Sequence, residues 1–578
     1  MTSAMTTAAL YPTPKQLSVS GPGCRLPAGF GVVGAPSGLV AGIPGLDATD
    51  AKAGPVRLSI DPAAVTEAGD EAYRLVVTVA GVHITARSTA GLRWGLATLV
   101  QLLRIHGEDL PGLRIDDAPA FRERGFMLDI SRDRVPTMAS LYALVDAMAG
   151  VKLNHLQLYT EHTFAYAGHQ AVWRAADPIT PEEMRALDTY AAKRGVVLTA
   201  NQNSFGHFER WLRHPDYAAL GETDRIIHFA PWGDCWLNPN TLCPIDPGSI
   251  ALVDGLFGQL FPCCSGPYAN VGGDEPCDLG MGRSKDACAR LGRGRVFSDY
   301  LGKVLRSAQR HGKRPQFWCD PHPNEDDSLP RDITALIWGY GETEDFAPRL
   351  SAHAAAGREV WVAPGTGNWT TYAGRSAMRH GNLGRAATQG KAHGAVGLLN
   401  TEWGDAGHRQ QWPLALLGMA DGAQAAWTGG AVFDPAAAGA HVLGSAALGT
   451  WLDRLGRSDQ TIPRGYGAPG FVDGNTHWHA EADRTHLSIW QSIAAGLAVL
   501  DAEMPEQGPY AEECRLSVTL ARIAADRAVA RRGDDPHART AIKHRCVAAF
   551  HAYRAMWLKR SRYGGLEDSY VKLSAMMS

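Results

Sequence analysis

Cysteine is scarce in this chain, with 10 among 578 residues, and the spacings match neither a disulfide framework nor a zinc site. The adjacent Cys263 and Cys264 cannot easily bridge to each other. Neither sign of charge is in excess: 56 Lys and Arg face 59 Asp and Glu, a net of −3. That balance excludes a polyanion-binding surface and removes nucleic acid as a partner. The longest uncharged run, Leu26 to Leu46, holds Pro27, Pro36, Pro44 and six glycines. It cannot form a membrane-spanning helix and reads as an irregular surface segment. The chain opens without a cationic stretch followed by an apolar core, so no secretory signal and no membrane partner are expected, and a reducing cytoplasm is the expected compartment. Internal repeats and low-complexity tracts are also lacking.

Apolar residues are not lacking. They make up 45% of the chain against 20% charged, enough to bury a large core. The 64 glycines and 34 prolines exceed the usual ~12% share and imply an architecture with many turns. Tryptophan (16) equals tyrosine and exceeds phenylalanine (15), either as core filler or as platforms on which sugars stack.

Three parts are expected. Residues 1–118 read as a small noncatalytic α/β domain: Tyr73–Val79 and Val82–Ala86 form a hairpin about Ala80-Gly81, and Leu92, Leu96, Leu99 and Leu103 share one helical face behind a Ser88 or Thr89 cap. Residues 119–430 carry apolar runs beginning near Gly125, His155, Val196, Ala269, Pro315, Ile333, Val360 and Val396. Each ends in a Gly-, Asn- or Asp-rich turn and most lead into a helical pattern, which predicts an α/β fold with a (β/α)₈ TIM barrel. Residues 431–578 read as a C-terminal helical region, with one apolar stripe at Trp490, Ile493, Leu497 and Leu500 and another at Ile542, Cys546, Phe550, Tyr553 and Trp557.

Chemistry is expected where barrel strands end. The fourth ends in Val271-Gly272-Gly273-Asp274-Glu275. Two glycines let the backbone approach a ligand, and two like charges held together drive their pKa values apart, leaving an acid beside a base. Ordinary retaining glycosidases set carboxyls from different strands ~5–5.5 Å apart across the scissile bond, and inverting ones ~6.5–9.5 Å. Sequence neighbours do not easily flank a bond. They suit a division in which one protonates the leaving oxygen while the other orients a nucleophile inside the substrate, such as the carbonyl oxygen of a 2-acetamido group.

The run Arg124-Gly125-Phe126-Met127-Leu128-Asp129-Ile130-Ser131-Arg132, followed by Gly272-Gly273-Asp274-Glu275, resembles glycoside hydrolase family 20, the β-N-acetylhexosaminidases. The resemblance covers most of the chain, with Tyr73 to Leu103 similar to the family's N-terminal domain. It implies retaining hydrolysis of terminal β-linked N-acetylglucosamine or N-acetylgalactosamine through an oxazolinium ion, on an oligosaccharide or glycoconjugate, with no cofactor and no metal. Carried over, Glu275 is the acid/base, and Asp274 holds the acetamido nitrogen and offsets its positive charge. Arg124 grips ring hydroxyls. His207 supports the acid, and Glu161 stands where the family has an aspartate holding that histidine. Trp318, Trp338 and Trp403 close the fifth, sixth and eighth strands, and Trp369 follows the seventh; these are the expected sugar platforms. Tyr372 is matched to the tyrosine on the acetamido oxygen. Asp405 replaces a glutamate that binds outer hydroxyls, which favours tolerance of N-acetylgalactosamine. Two other readings are a metal-dependent barrel hydrolase using His155, Glu161, His162 and His207, and an inactive carbohydrate-binding barrel that keeps the tryptophans.

Overall fold

A computed structural model describes residues 10–229, 235–320, 329–458 and 485–574. The first domain is a seven-stranded sheet in which Tyr73–Thr78 and Gly81–Ala86 pair antiparallel, Thr78 opposite Gly81. Helix Thr89–His106 lies on it, buries Leu92, Leu96 and Leu99, and is capped by the Ser88 side chain, which accepts from Ala90 and Gly91 N–H. The run from Leu26 to Leu46 corrects the expectation of an irregular surface segment. It holds strand Phe30–Val33, and Leu26, Phe30, Val32, Leu39, Val40 and Ile43 are buried in this domain's core. Proline and glycine exclude a helix, but alternation of the buried Phe30 and Val32 with the half-buried Gly31 and Val33 still makes a strand.

Eight parallel strands then close a barrel: β1 (Glu123–Asp129), β2 (His155–Tyr159), β3 (Val197–Asn201), β4 (Tyr268–Asn270), β5 (Arg314–Cys319), β6 (Thr334–Trp338), β7 (Glu359–Ala363) and β8 (Gly397–Glu402). Each starts within two residues of its expected position. Closure is made by β1 against β8, Arg124 opposite Leu398 and Leu128 opposite Glu402. Burial on both faces explains the near-continuous apolar runs. The interior is unusually polar: Gln157 Nε2 donates to Gln316 Oε1 at 2.7 Å, and Asn201 and Asn270 both donate to Gln157 Oε1 at 3.0 Å. Tyr268, Trp361 and His155 fill the layer below, with ring centroids 5.0–6.2 Å apart.

Helices Pro435–Val442, Ala446–Leu455, Leu487–Ala502, Ala511–Arg532, Pro536–Arg560 and Leu566–Ser574 follow. Both expected stripes are buried: Trp490, Ile493, Leu497 and Leu500 in one helix, Ile542, Cys546, Phe550, Tyr553 and Trp557 in another. They join the barrel's outer core; the Tyr553 hydroxyl donates to the carbonyl of His408 on the β8 loop at 2.7 Å. Among the described residues no helix is long and apolar enough to cross a membrane.

Candidate active site

The loop leaving β4 turns on two glycines. Gly272 and Gly273 have φ of 67° and 91°, and a Cβ on Gly272 would lie 2.4 Å from Asn203 Oδ1, so only glycine fits. Trp318 N–H holds the Gly272 carbonyl at 3.0 Å. Asn203 Nδ2 donates to Asp274 Oδ1 at 3.2 Å, and the Glu275 N–H donates to Asp320 Oδ2 at 2.9 Å. From the β3 loop Gly206 presses onto this turn: a Cβ there would come within 2.4 Å of the Asp274 carbonyl oxygen. His207 and Glu275 both adopt left-handed backbone, at φ 61° and 48°, as do Thr370 and Asp405 at 57° and 44°. Non-glycine residues hold such conformations only where surrounding structure imposes them.

That strain places His207 Nε2 3.3 Å from Asp274 Oδ2 and 3.3 Å from Glu275 Oε2. Nδ1 stands 3.8 Å from Glu161 Oε1 and 3.3 Å from Arg132 Nη2. Burial by itself would lower the imidazole's pKa, but the Asp274 charge and the close approach of the Asp274 and Glu275 carboxylates outweigh it and raise the pKa to about 10. Asp274 is likewise pushed up by burial and brought below its ordinary value by His207. Glu161 stays raised, because burial exceeds the opposing pull of Arg132 and His207. Arg132 Nε lies 3.2 Å from Glu161 and Nη1 3.1 Å from Asp129. Asp129 in turn accepts from the N–H groups of Ser131, Arg132 and Gly404, linking the β1 and β8 loops.

An aromatic wall faces this charge cluster. Trp403 meets Trp318 at 5.8 Å and Tyr159 edge-on at 4.8 Å between centroids. Trp403 Nε1 donates to Tyr340 Oη at 2.7 Å, and Tyr340 contacts Trp338 at 5.4 Å and Trp369 at 5.0 Å. The Nε1 donors of Trp318 and Trp338 have no partner among the described residues. Asp405 reaches solvent at the mouth, yet protein crowds around it; this desolvation, reinforced by Asp129 and Glu275 and opposed by Arg132, raises its carboxyl to about 6.

Two expected positions are corrected. Arg124 is fully buried at the start of β1, on the face opposite the loops, and cannot touch a sugar. Its guanidinium pairs with Glu71 of the first domain, donates to the Lys152 and Phe121 carbonyls, and lies 5.4 and 5.1 Å over Trp94 and Trp427. The arginine in the mouth is Arg132, eight positions on in the same run; strand polarity was the signal that distinguishes them, since reactive groups gather where barrel strands end. Tyr372 is fully buried in the outer core. The phenol of the wall belongs to Tyr340, two residues beyond Trp338. Asn203, Tyr159 and Asp320 are further site residues that no motif marked.

Of the four residues a metal centre would use, only Glu161 and His207 meet. His155 lies inside the barrel, where burial lowers it to about 3, and His162 is driven well down by burial and by Arg210 and Arg213. His207, Asp274 and Glu275 bring one ligand atom each within 4.8 Å of one another, but a cation there must displace the proton that this histidine holds near neutral pH.

Residues 121–369 match the model of the glycosyl hydrolase family 20 catalytic domain, and residues 7–118 match that of the family's domain 2. Together they span more than half of the chain. A β-N-acetylhexosaminidase of Cellulomonas fimi is 28% identical over 317 residues, 52% of this chain and 59% of that protein. The chain thus spans less than two thirds of the length of the curated relatives it matches. In fold it resembles an exo-β-N-acetylglucosaminidase of Vibrio harveyi, at TM-score 0.59, 18% identity, 73% of this chain and 74% of the other. A chitobiase of Flavobacterium johnsoniae aligns over 100% of both chains at TM-score 0.63 and 17% identity.

Proposed function

The chain belongs to glycosyl hydrolase family 20, and on that premise we propose that it is a retaining exo-β-N-acetylhexosaminidase whose substrate supplies the nucleophile. The observation that carries this reading is the shared imidazole: Asp274 and Glu275 lie on one loop and both reach His207 Nε2 at 3.3 Å. Carboxylates so placed stand on one side of a bound sugar and cannot attack one face while protonating the other.

In this reading the 2-acetamido carbonyl oxygen attacks the anomeric carbon as the glycosidic C–O bond breaks. Glu275 gives its proton to the departing oxygen. Asp274, ionised beside His207, accepts the acetamido N–H and offsets the charge on the oxazolinium. Water then adds to the anomeric carbon, Glu275 takes its proton, the ring opens, and two inversions leave the β configuration. Arg132 and Asp405 face the ring hydroxyls, the unpaired Trp318 and Trp338 donors meet sugar oxygens, and Trp403, Trp369 and Tyr340 pack the apolar face. Residues 119–430 carry the chemistry, and residues 1–118 and 431–578 take no part in bond making. The substrate class is a glycan with terminal N-acetylhexosamine.

A panel of aryl β-glycosides with and without the 2-acetamido group tests the reading. N-acetylglucosaminide or N-acetylgalactosaminide turns over, plain β-glucoside is nearly inert, and NMR of the first-formed sugar shows the β anomer. Efficient cleavage of the plain glucoside, or an α product, overturns it.

A further inference from the structure

The C-terminal helix Leu566–Ser574 touches three of the loops that form the site. We propose that Asp133, clamped by this helix, is a positioning residue that sets the distance between Arg132 and His207. The inference rests on the functional reading above for its kinetic test only.

Asp133 follows Arg132 directly, in left-handed backbone at φ 76°. Its side chain is 1% exposed, so its charge needs partners. It accepts from Arg210 Nη2 at 2.7 Å, Lys572 Nζ at 2.6 Å and Ser569 Oγ at 3.1 Å. Arg210 belongs to the short helix Glu209–Leu212, three residues beyond His207, and its other nitrogen donates to Asp568 at 2.8 Å. Lys572 and Ser569 belong to the C-terminal helix. One carboxylate therefore joins the loop of Arg132, the loop of His207 and the last helix.

Backbone contacts press the same parts together. Arg562 N–H donates to the Val135 carbonyl at 2.8 Å and Thr137 N–H to the Arg560 carbonyl at 2.9 Å. A Cβ on Gly565 would lie 1.8 Å from the Asp133 carbonyl oxygen, and one on Gly407, two residues after Asp405, would lie 3.0 Å from Ser569 Oγ. The helix thus backs the β1, β3 and β8 loops, whose tips carry Arg132, His207 and Asp405. Two side chains of the helix, Ser569 and Lys572, converge on Asp133, which makes this carboxylate its main link to the Arg132 loop.

A displacement of about 1 Å in such a cluster can cost ~10²-fold in rate, and loss of one donor of three should cost about tenfold. The test compares Lys572→Met, Lys572→Arg and Asp133→Asn in the full chain. On an aryl N-acetyl-β-hexosaminide, Lys572→Met lowers kcat about tenfold at nearly unchanged KM, Lys572→Arg restores most of it, and Asp133→Asn loses more. Hydrogen exchange read by mass spectrometry, which needs no turnover, should rise over residues 203–212 in Lys572→Met although the substitution lies in another element. Unchanged exchange there overturns the brace, as does wild-type kcat in Lys572→Met. An unsubstituted protein inert on every N-acetylhexosaminide fails the functional reading instead, and the exchange data still decide this one.

Discussion

Replacing Asp274 by Asn keeps the shape of the loop and removes one charge, which isolates what that charge does. Its carboxylate lies 3.3 Å from His207 Nε2; at an effective dielectric of about 20, such a pair is worth about 5 kcal/mol. The rise of His207 from 6.5 to about 10 corresponds to a similar figure, about 5 kcal/mol. In Asp274→Asn, burial and Arg132 are opposed by Glu275 and Glu161 without the strongest partner, so the imidazole falls toward its ordinary value. The oxazolinium also loses its counter-charge, and a preorganised stabiliser of this kind is worth ~10²–10³ in kcat. Steady-state kinetics on an aryl N-acetyl-β-hexosaminide should show that loss mainly in kcat. Thermal melting gives a second reading. A histidine raised on folding contributes stability that is complete below pH 6.5 and is lost as pH climbs through about 10, so the wild-type protein should weaken steadily across that window and the variant should not. Asp274, lowered on folding, acts in the opposite sense: its contribution is present above 3.8 and disappears as pH falls through its folded value. A kcat within threefold of wild type, or an unchanged alkaline decline in melting temperature, refutes the reasoning.

Arg124→Ala should cost stability, about 3–5 kcal/mol for a broken buried pair, with KM unaltered in whatever folds, whereas Arg132→Ala, which strips the buried Asp129 of its cation, should cost stability and also lose at least ~10² in kcat/KM; kinetics on the folded fraction of each separate the two arginines. Tyr340→Phe removes the acceptor of the Trp403 indole N–H and should raise KM severalfold, while Tyr372→Phe, buried in the outer core, should leave KM alone. Asp405→Glu should shift the ratio of N-acetylglucosaminide to N-acetylgalactosaminide turnover, read from paired kcat/KM values, if the length of this side chain sets its reach to the outer hydroxyls. Exhaustive chelation should leave turnover intact, measured before and after dialysis against a strong chelator.

The barrel was legible because strands buried on both faces read as apolar runs closed by glycine and aspartate. Gly272-Gly273-Asp274-Glu275 was legible because its backbone admits no other residues before the acidic pair. Arg124 and Arg132 sit in one motif, and composition does not distinguish them; only the direction of β1 does, since one arginine enters at its start and the other leaves at its end. Tyr340 escaped notice for a different reason. Its partner Trp403 lies 63 residues away, and such a pairing exists only once the barrel closes. Asn203 and Asp320 are similar: each holds the catalytic turn from another loop, and no local pattern announces it. The strand hidden between Leu26 and Leu46 was obscured by prolines, which exclude a helix without excluding burial.

The left-handed conformations at His207, Glu275, Thr370 and Asp405 carry a consequence for anyone selecting hardier variants. Each such residue stores on the order of 1–3 kcal/mol that glycine would release. At His207 the ion pair with Asp274 outweighs that release, but at Glu275 and Asp405 a screen rewarding heat tolerance alone would drift toward glycine and so erase two carboxylates of the site. Thermostability and turnover are set against each other here by main-chain geometry, so a useful screen must score both together.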